Sequence, residues 1–137
     1  MKKFLLALLV VGLGYFAGAQ STVSIPLAAG DTAVNAGTAA KVITVTGGYS
    51  GIVIHAKLTK ISGTVGGTLA VYGSGDGVTY DVIGTNTITP TDIATNAKTF
   101  YITAPLPQYI KVQETGTGTM SAVLNVKYRL PKYQIAQ

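Results

Sequence analysis

His55 is the single histidine of the chain and cysteine is absent, so the two side chains that most often bind metals or attack carbonyl carbon are reduced to one imidazole. No Asp or Glu shares its run, Ile52-Val-Ile-His-Ala-Lys-Leu58, and the alternation there turns His55 outward. A metal site or a Ser-His-Asp relay would have to be completed from distant segments. The five carboxylates, Asp31, Asp76, Asp81, Asp92 and Glu114, are far apart in sequence, and no spacing favours a pair for acid-base work. Gly73-Ser74-Gly75-Asp76-Gly77 has the glycines of a phosphate-cradling loop. A dinucleotide loop must open a helix inside a βαβ unit, however, and an apolar strand pattern follows here. A calcium loop needs oxygen ligands at alternate positions, and this stretch offers Asp76 alone. There is no Gly-x-Ser-x-Gly elbow. The sequence therefore predicts a protein that is not an enzyme, with no catalytic residues, no metal ligands and no cofactor.

Eight tyrosines are the remaining side chains with chemistry to offer. Tyr49, Tyr80, Tyr101, Tyr109, Tyr128 and Tyr133 fall near expected strand ends or at outward positions, where a ring would stack on a sugar or bury itself in a protein contact. The plainer reading is that tyrosine suits a pleated strand. No Asn-x-Ser/Thr acceptor suggests glycosylation.

The elements that hold these residues follow from composition. Charged residues are 11% of the 137 and hydrophobic ones 47%, so Thr, Ser, Gly, Asn and Gln must build much of the surface. Such a chain forms strands and turns more readily than helices. Its length suits one domain. The net charge is +5, of which Lys2 and Lys3 supply two; the other basic residues, Lys41, Lys57, Lys60, Lys98, Lys111, Lys127, Arg129 and Lys132, are scattered singly. That distribution predicts no nucleic-acid partner. Without cysteine, stability falls to packing and to the strand ladders.

Alternating runs punctuated by Gly, Pro, Asn and Asp predict strands at roughly Thr22 to Leu27, Ala40 to Thr46, Gly51 to Ile61, Thr68 to Gly73, Thr79 to Gly84, Lys98 to Ala104, Tyr109 to Thr115 and Thr119 to Leu130. Gly47-Gly48, Ser62 to Gly67, Asp76-Gly77 and Gly116-Thr117-Gly118 read as hairpin turns between neighbours. Asp76-Gly77 carries the strongest such signal. Ile52, Ile54, Ala56 and Leu58 should face the core on one strand, and Met120, Ala122, Leu124, Val126, Tyr128 and Leu130 on the last. Tyr72, Val82, Phe100, Ile102, Ile110 and Val112 would complete that core. Ala28 to Ala39 and Thr85 to Asn96 read as surface excursions. The fold class is thus all-β, a single antiparallel β-sandwich of about eight strands, jelly-roll or immunoglobulin-like, after an N-terminal hydrophobic helix.

That helix belongs to the leader. Lys2-Lys3, the apolar run from Phe4 to Phe16 and Ala17-Gly18-Ala19 before Gln20 have the three-part form of a secretory signal peptide, cleaved after Ala19. The competing reading is a retained membrane anchor. Phe4 to Ala19 would span roughly 24 Å at ~1.5 Å per residue, short of a hydrocarbon core of about 30 Å, while Gly14 and Gly18 give the small-residue spacing of paired membrane helices. The organisation is residues 1–19 as signal peptide or anchor and residues 20–137 as the sandwich domain.

Two segments carry a family resemblance. Ser62-Gly-Thr-Val-Gly-Gly-Thr-Leu-Ala-Val-Tyr-Gly-Ser-Gly-Asp-Gly-Val-Thr-Tyr-Asp-Val-Ile-Gly84 and Gln108-Tyr-Ile-Lys-Val-Gln-Glu-Thr-Gly-Thr-Gly-Thr-Met-Ser-Ala-Val-Leu-Asn-Val-Lys-Tyr128, about a third of the chain, are similar to hairpins of bacteriophage β-sandwich virion structural proteins, the capsid-decoration, head-fibre and tail-associated modules. The leader departs from most such modules; it fits a virion that contains lipid or a protein that passes through the host envelope. The resemblance implies a virion surface or assembly protein and carries no active site over. Its partners would be identical copies or other virion proteins, with membrane contact through Phe4 to Ala19. The alternative is a secreted bacterial adhesion or carbohydrate-binding module, with a glycan as partner. The expected location is the virion, or export through the bacterial inner membrane to the periplasm, cell surface or medium.

Overall fold

A computed structural model describes residues 21–25, as backbone, and residues 31–131 with their side chains. The leader, its expected helix and the tail with Tyr133 lie outside these residues. The strands are β1 (Ser21–Ile25), β2 (Thr32–Val34), β3 (Thr38–Thr44), β4 (Gly51–Ser62), β5 (Gly67–Ser74), β6 (Asp81–Ile88), β7 (Thr95–Thr103), β8 (Tyr109–Gly116) and β9 (Ser121–Leu130). The described chain is all-β, two antiparallel sheets packed face to face.

Period-two alternation sets which way each strand faces. Ile52, Ile54, Ala56 and Leu58 on β4 and Ala122, Leu124 and Val126 on β9 are buried, as their spacing predicts, and Met120 is buried just before β9. Tyr128 and Leu130 pack half-buried against the same core. The second sheet contributes Ile43, Leu69, Val71, Ile110 and Val112, while Phe100 and Ile102 enter from β7. Full burial of an aliphatic or aromatic side chain stabilises by about 1.5 to 3 kcal/mol, and this layer is what a cysteine-free chain relies on.

The first sheet has the order β1-β9-β4-β7, with β2 continuing along the same flank of β9 beyond β1: β1 pairs with Val126 to Leu130 and β2 with Ser121 to Val123. The second has the order β3-β8-β5-β6. Only β5 and β6 are both consecutive in the chain and paired in a sheet. This corrects the expected hairpins at Gly47-Gly48, Ser62 to Gly67 and Gly116-Thr117-Gly118, because the strands that each of these joins lie in opposite sheets. A few turn residues bridge the ~10 Å between stacked sheets as readily as the ~4.8 Å between neighbours, so turn chemistry alone does not choose. What chooses is that each strand has one strongly apolar face, and stacking buries both sets.

Three further corrections concern strand limits and facing. The Ala28 to Ala39 excursion contains β2, whose Ala33 is fully buried. The Thr85 to Asn96 excursion shrinks to residues 89–94, because β6 runs on to Ile88 and β7 begins at Thr95. Tyr72 and Val82 are opposed across β5 and β6 on the outer face, Val82 exposed, because Leu69 and Val71 take the inward positions of β5 and Ile83 packs inward from β6. Glu114 is fully buried at the inward position that follows Ile110 and Val112.

Candidate functional site

The Gly-rich turn is held together by two of its own side chains. Asp76 Oδ1 accepts from the amides of Val78 (2.8 Å) and Thr79 (2.9 Å) and from the Ser74 hydroxyl (2.8 Å). Ser74 Oγ in turn accepts from the amides of Gly77 (2.9 Å) and Asp76 (3.3 Å). The donors on Asp76, the Val78 amide foremost, lower its pKa to about 2. Gly77 takes the left-handed conformation at φ +76°. The pairing of β5 with β6 closes at Gly73 opposite Asp81, so the turn is longer than the tight Asp-Gly type that the sequence suggests. Beside it lies an open hollow of about 600 Å³ lined by Gly73, Asp76, Asp81, Ile83 and Pro107 among others. Two carboxylates do meet at this hollow, but Asp76 already serves the turn as an acceptor.

Asp31 and Asp92 are equally committed. Asp31 is buried and pairs with Lys41. Asp92 Oδ1 accepts from Lys60 Nζ and from the Val65 amide, both at 2.8 Å, and its pKa is lowered, chiefly by the Lys60 bond. The contact ties residues 89–94 to the connection between β4 and β5. Lys60 N also donates to Ala94 O, which brings together the segments bearing exposed Ile61 and Ile93. Glu114 is buried with neither carboxyl oxygen hydrogen-bonded, and burial raises its pKa to about 7. No group of three or more His, Asp or Glu suited to a metal ion occurs among the described residues.

His55 points outward from β4, and its Nδ1 lies 3.2 Å from Thr99 Oγ1 on β7. The register sets His55 beside Lys127, Val53 beside Arg129 and Lys57 beside Asn125, so the outer face of the first sheet gathers His55, Lys57, Lys127 and Arg129. Two hollows lie in it. One, of about 270 Å³, is lined by His55, Lys57, Asn125 and Lys127; the other, of about 290 Å³, by Val53, His55, Lys127, Tyr128 and Arg129. Sequence reasoning placed these residues outward on their own strands but did not unite them, because strands β4 and β9 are more than fifty residues apart and only the register joins them.

The tyrosines divide. Tyr49 and Tyr128 pack against the core. On the outer face of the second sheet Lys111 Nζ stands 5.0 Å from the Tyr72 ring centroid and 4.4 Å from that of Tyr80, so these rings face a cation. Tyr109 lies against Gly77. Tyr101, on edge strand β7, is 72% exposed.

No protein-family model matches the chain, and no curated protein matches it.

Proposed function

We propose that the chain is a non-enzymatic structural protein of a virion, a jelly-roll module that assembles with identical copies or other virion proteins. The observation that carries this reading is strand order. The order β1/β2-β9-β4-β7 stacked on β3-β8-β5-β6 matches the doubled Greek key of a jelly roll, an architecture that capsid and lectin domains share. An architecture by itself assigns no role, so the surface must decide. It favours assembly. Asp31, Asp76 and Asp92 serve structural contacts and Glu114 is shut inside the core, while the edges of β3 and β7, unpaired among the described residues, and the exposed Ile61 and Ile93 offer backbone and apolar contact to a neighbour. The resemblance of residues 62–84 and 108–128 to segments of phage virion modules points the same way, although only the first of them contains a paired hairpin, β5 with β6. Residues 1–19 then serve as an export signal or as an anchor that brings the module to a membrane.

The test is the composition of purified particles from cells that carry the gene. Peptides of this chain should be present in banded virions in many copies; recovery solely from particle-free culture fluid would remove the reading. One observation favours a second reading, a secreted carbohydrate-binding module, namely the open ring of Tyr101. Glycan-array binding that vanishes on Tyr101→Ala would promote it.

A further inference from the structure

We infer that the outer face of the first sheet, centred on Lys57 and Lys127, docks against the anionic head groups of a phospholipid bilayer. The inference is independent of whether the chain belongs to a particle.

It begins with where the charges lie. Of the described cations, Lys41 and Lys60 are paired with carboxylates and Lys111 stands against two tyrosine rings, whereas no ion pair involves Lys57 or Lys127. Those two sit diagonally across the paired strands β4 and β9, with His55 and Asn125 completing the quartet. Arg129 lies two residues further along the same face. Among the described residues no carboxylate shares it: Asp31 is at an edge, Asp76 and Asp81 belong to the β5–β6 end of the other sheet, Asp92 is on residues 89–94 and Glu114 is in the core. Like charges at diagonal positions repel, so the fold retains a cost that an anionic partner would relieve. The asymmetry also gives the domain a positive side, which would orient on a negative surface.

Three observations choose a bilayer over other anions. The face is a sheet surface with two separate small hollows, of about 270 and 290 Å³, suited to many weak head-group contacts. Val53 and the open ring of Tyr101 stand side by side at the end of this face near Arg129, where an apolar body with a polar tip suits the head-group layer. And β1 pairs with β9 from Leu130, at the flank of this same sheet, and in sequence the apolar run Phe4 to Ala19 ends two residues before β1. On the anchor reading of that run, a retained hydrophobic segment and a cationic patch together are the two signals that stable membrane attachment needs.

The test is co-sedimentation of the full-length chain with phosphatidylcholine vesicles with and without phosphatidylglycerol. Lys2 and Lys3 are present in every variant, so differences between variants report the face alone. Wild type should prefer the vesicles containing phosphatidylglycerol, and the preference should shrink at about 0.5 M salt. Lys57→Ala with Lys127→Ala should weaken that preference roughly thirtyfold, at about one surface charge's worth for each lysine. Lys98→Ala with Lys111→Ala removes as much charge from elsewhere and should leave it nearly intact. Equal loss in the two double variants, or no loss in the first, overturns the inference. So does tighter binding to duplex DNA than to the vesicles that disappears with Lys57 and Lys127, which would assign the face to nucleic acid.

Discussion

Lys41 Nζ lies 2.6 Å from Asp31 Oδ1, joining the two sheets across the side of the sandwich where their edge strands meet. Lys41 occupies an inward position of β3 between buried Ala39 and Ile43, and Asp31 immediately precedes β2. The side chains are 13% and 6% exposed, so each ion has given up most of its water. Forming such a pair is close to neutral, but removing one partner strands the other charge, at about 3 to 5 kcal/mol. Asp31→Asn, which leaves the Lys41 ammonium without its carboxylate, should therefore lower the urea-derived unfolding free energy at pH 7 by about 3 kcal/mol, and Lys41→Met added to it should cost little more. Full additivity of the two substitutions would show that the charges do not act as a pair.

The Asp76 turn should outlast acid. Its folded pKa, about 2, lies below the ordinary value of 3.8, so its contribution is present above pH 3.8 and is lost only as pH falls through about 2. At pH 3 the Val78 and Thr79 amides should still exchange slowly with solvent in wild type. In Asp76→Ala both should exchange several-fold faster at pH 3 and above, since their acceptor is gone. Identical rates in the two proteins would mean that the loop is held by something else.

These examples mark what can be read before folding. The inward rows of β4 and β9 are legible because an apolar residue stands at every second position. Glu114 stands at the same parity, two residues after Val112, but a carboxylate adds nothing to an apolar alternation, so its 0% exposure shows only in the folded chain. Thr32–Val34 offers three residues and one buried side chain, too short for any period to register. The Thr85-Asn-Thr87 part of β6 is polar throughout because an edge strand has little to cover, so it resembles loop. The cationic face depends on the register of β4 against β9, information that no single segment holds. Asp31 with Lys41 is hidden for a different reason: ten residues separate them in sequence, but their strands lie in opposite sheets.

Gly67 should tolerate no side chain. It sits at φ +125°, and a Cβ there would collide with the Thr115 carbonyl oxygen on β8 and approach Glu114 Oε1 at 3.1 Å. The backbone conformation and the collision each cost about 1 to 3 kcal/mol, so Gly67→Ala should destabilise by about 3 kcal/mol or more. Gly75→Ala is the control, because nothing lies within 4 Å of its Cβ position. A thermal midpoint that falls in the first variant and holds in the second is the expected result; equal midpoints would refute the argument.

Glu114 makes a prediction of opposite sign to Asp76. Ala39 and Leu69 flank it in the second sheet, and the one charged side chain at an inward position of neighbouring β3, Lys41, is already engaged with Asp31. Inward positions of β5 and β9 present Leu69, Val71, Ala122 and Leu124. Burial among them raises the folded pKa from 4.5 to about 7, so between these values the folded chain keeps a proton that the unfolded chain releases. The contribution is intact below pH 4.5, declines as pH rises and levels off above about 7, a total change of about 3 kcal/mol. Glu114→Gln removes the titration while keeping shape. Urea denaturation from pH 5 to pH 8 should show wild type losing stability relative to this variant across the range. The window lies above the pH at which Asp76 and Asp92 begin to protonate, so their contributions stay constant within it. Parallel profiles would mean that the carboxyl finds water or a partner when it ionises.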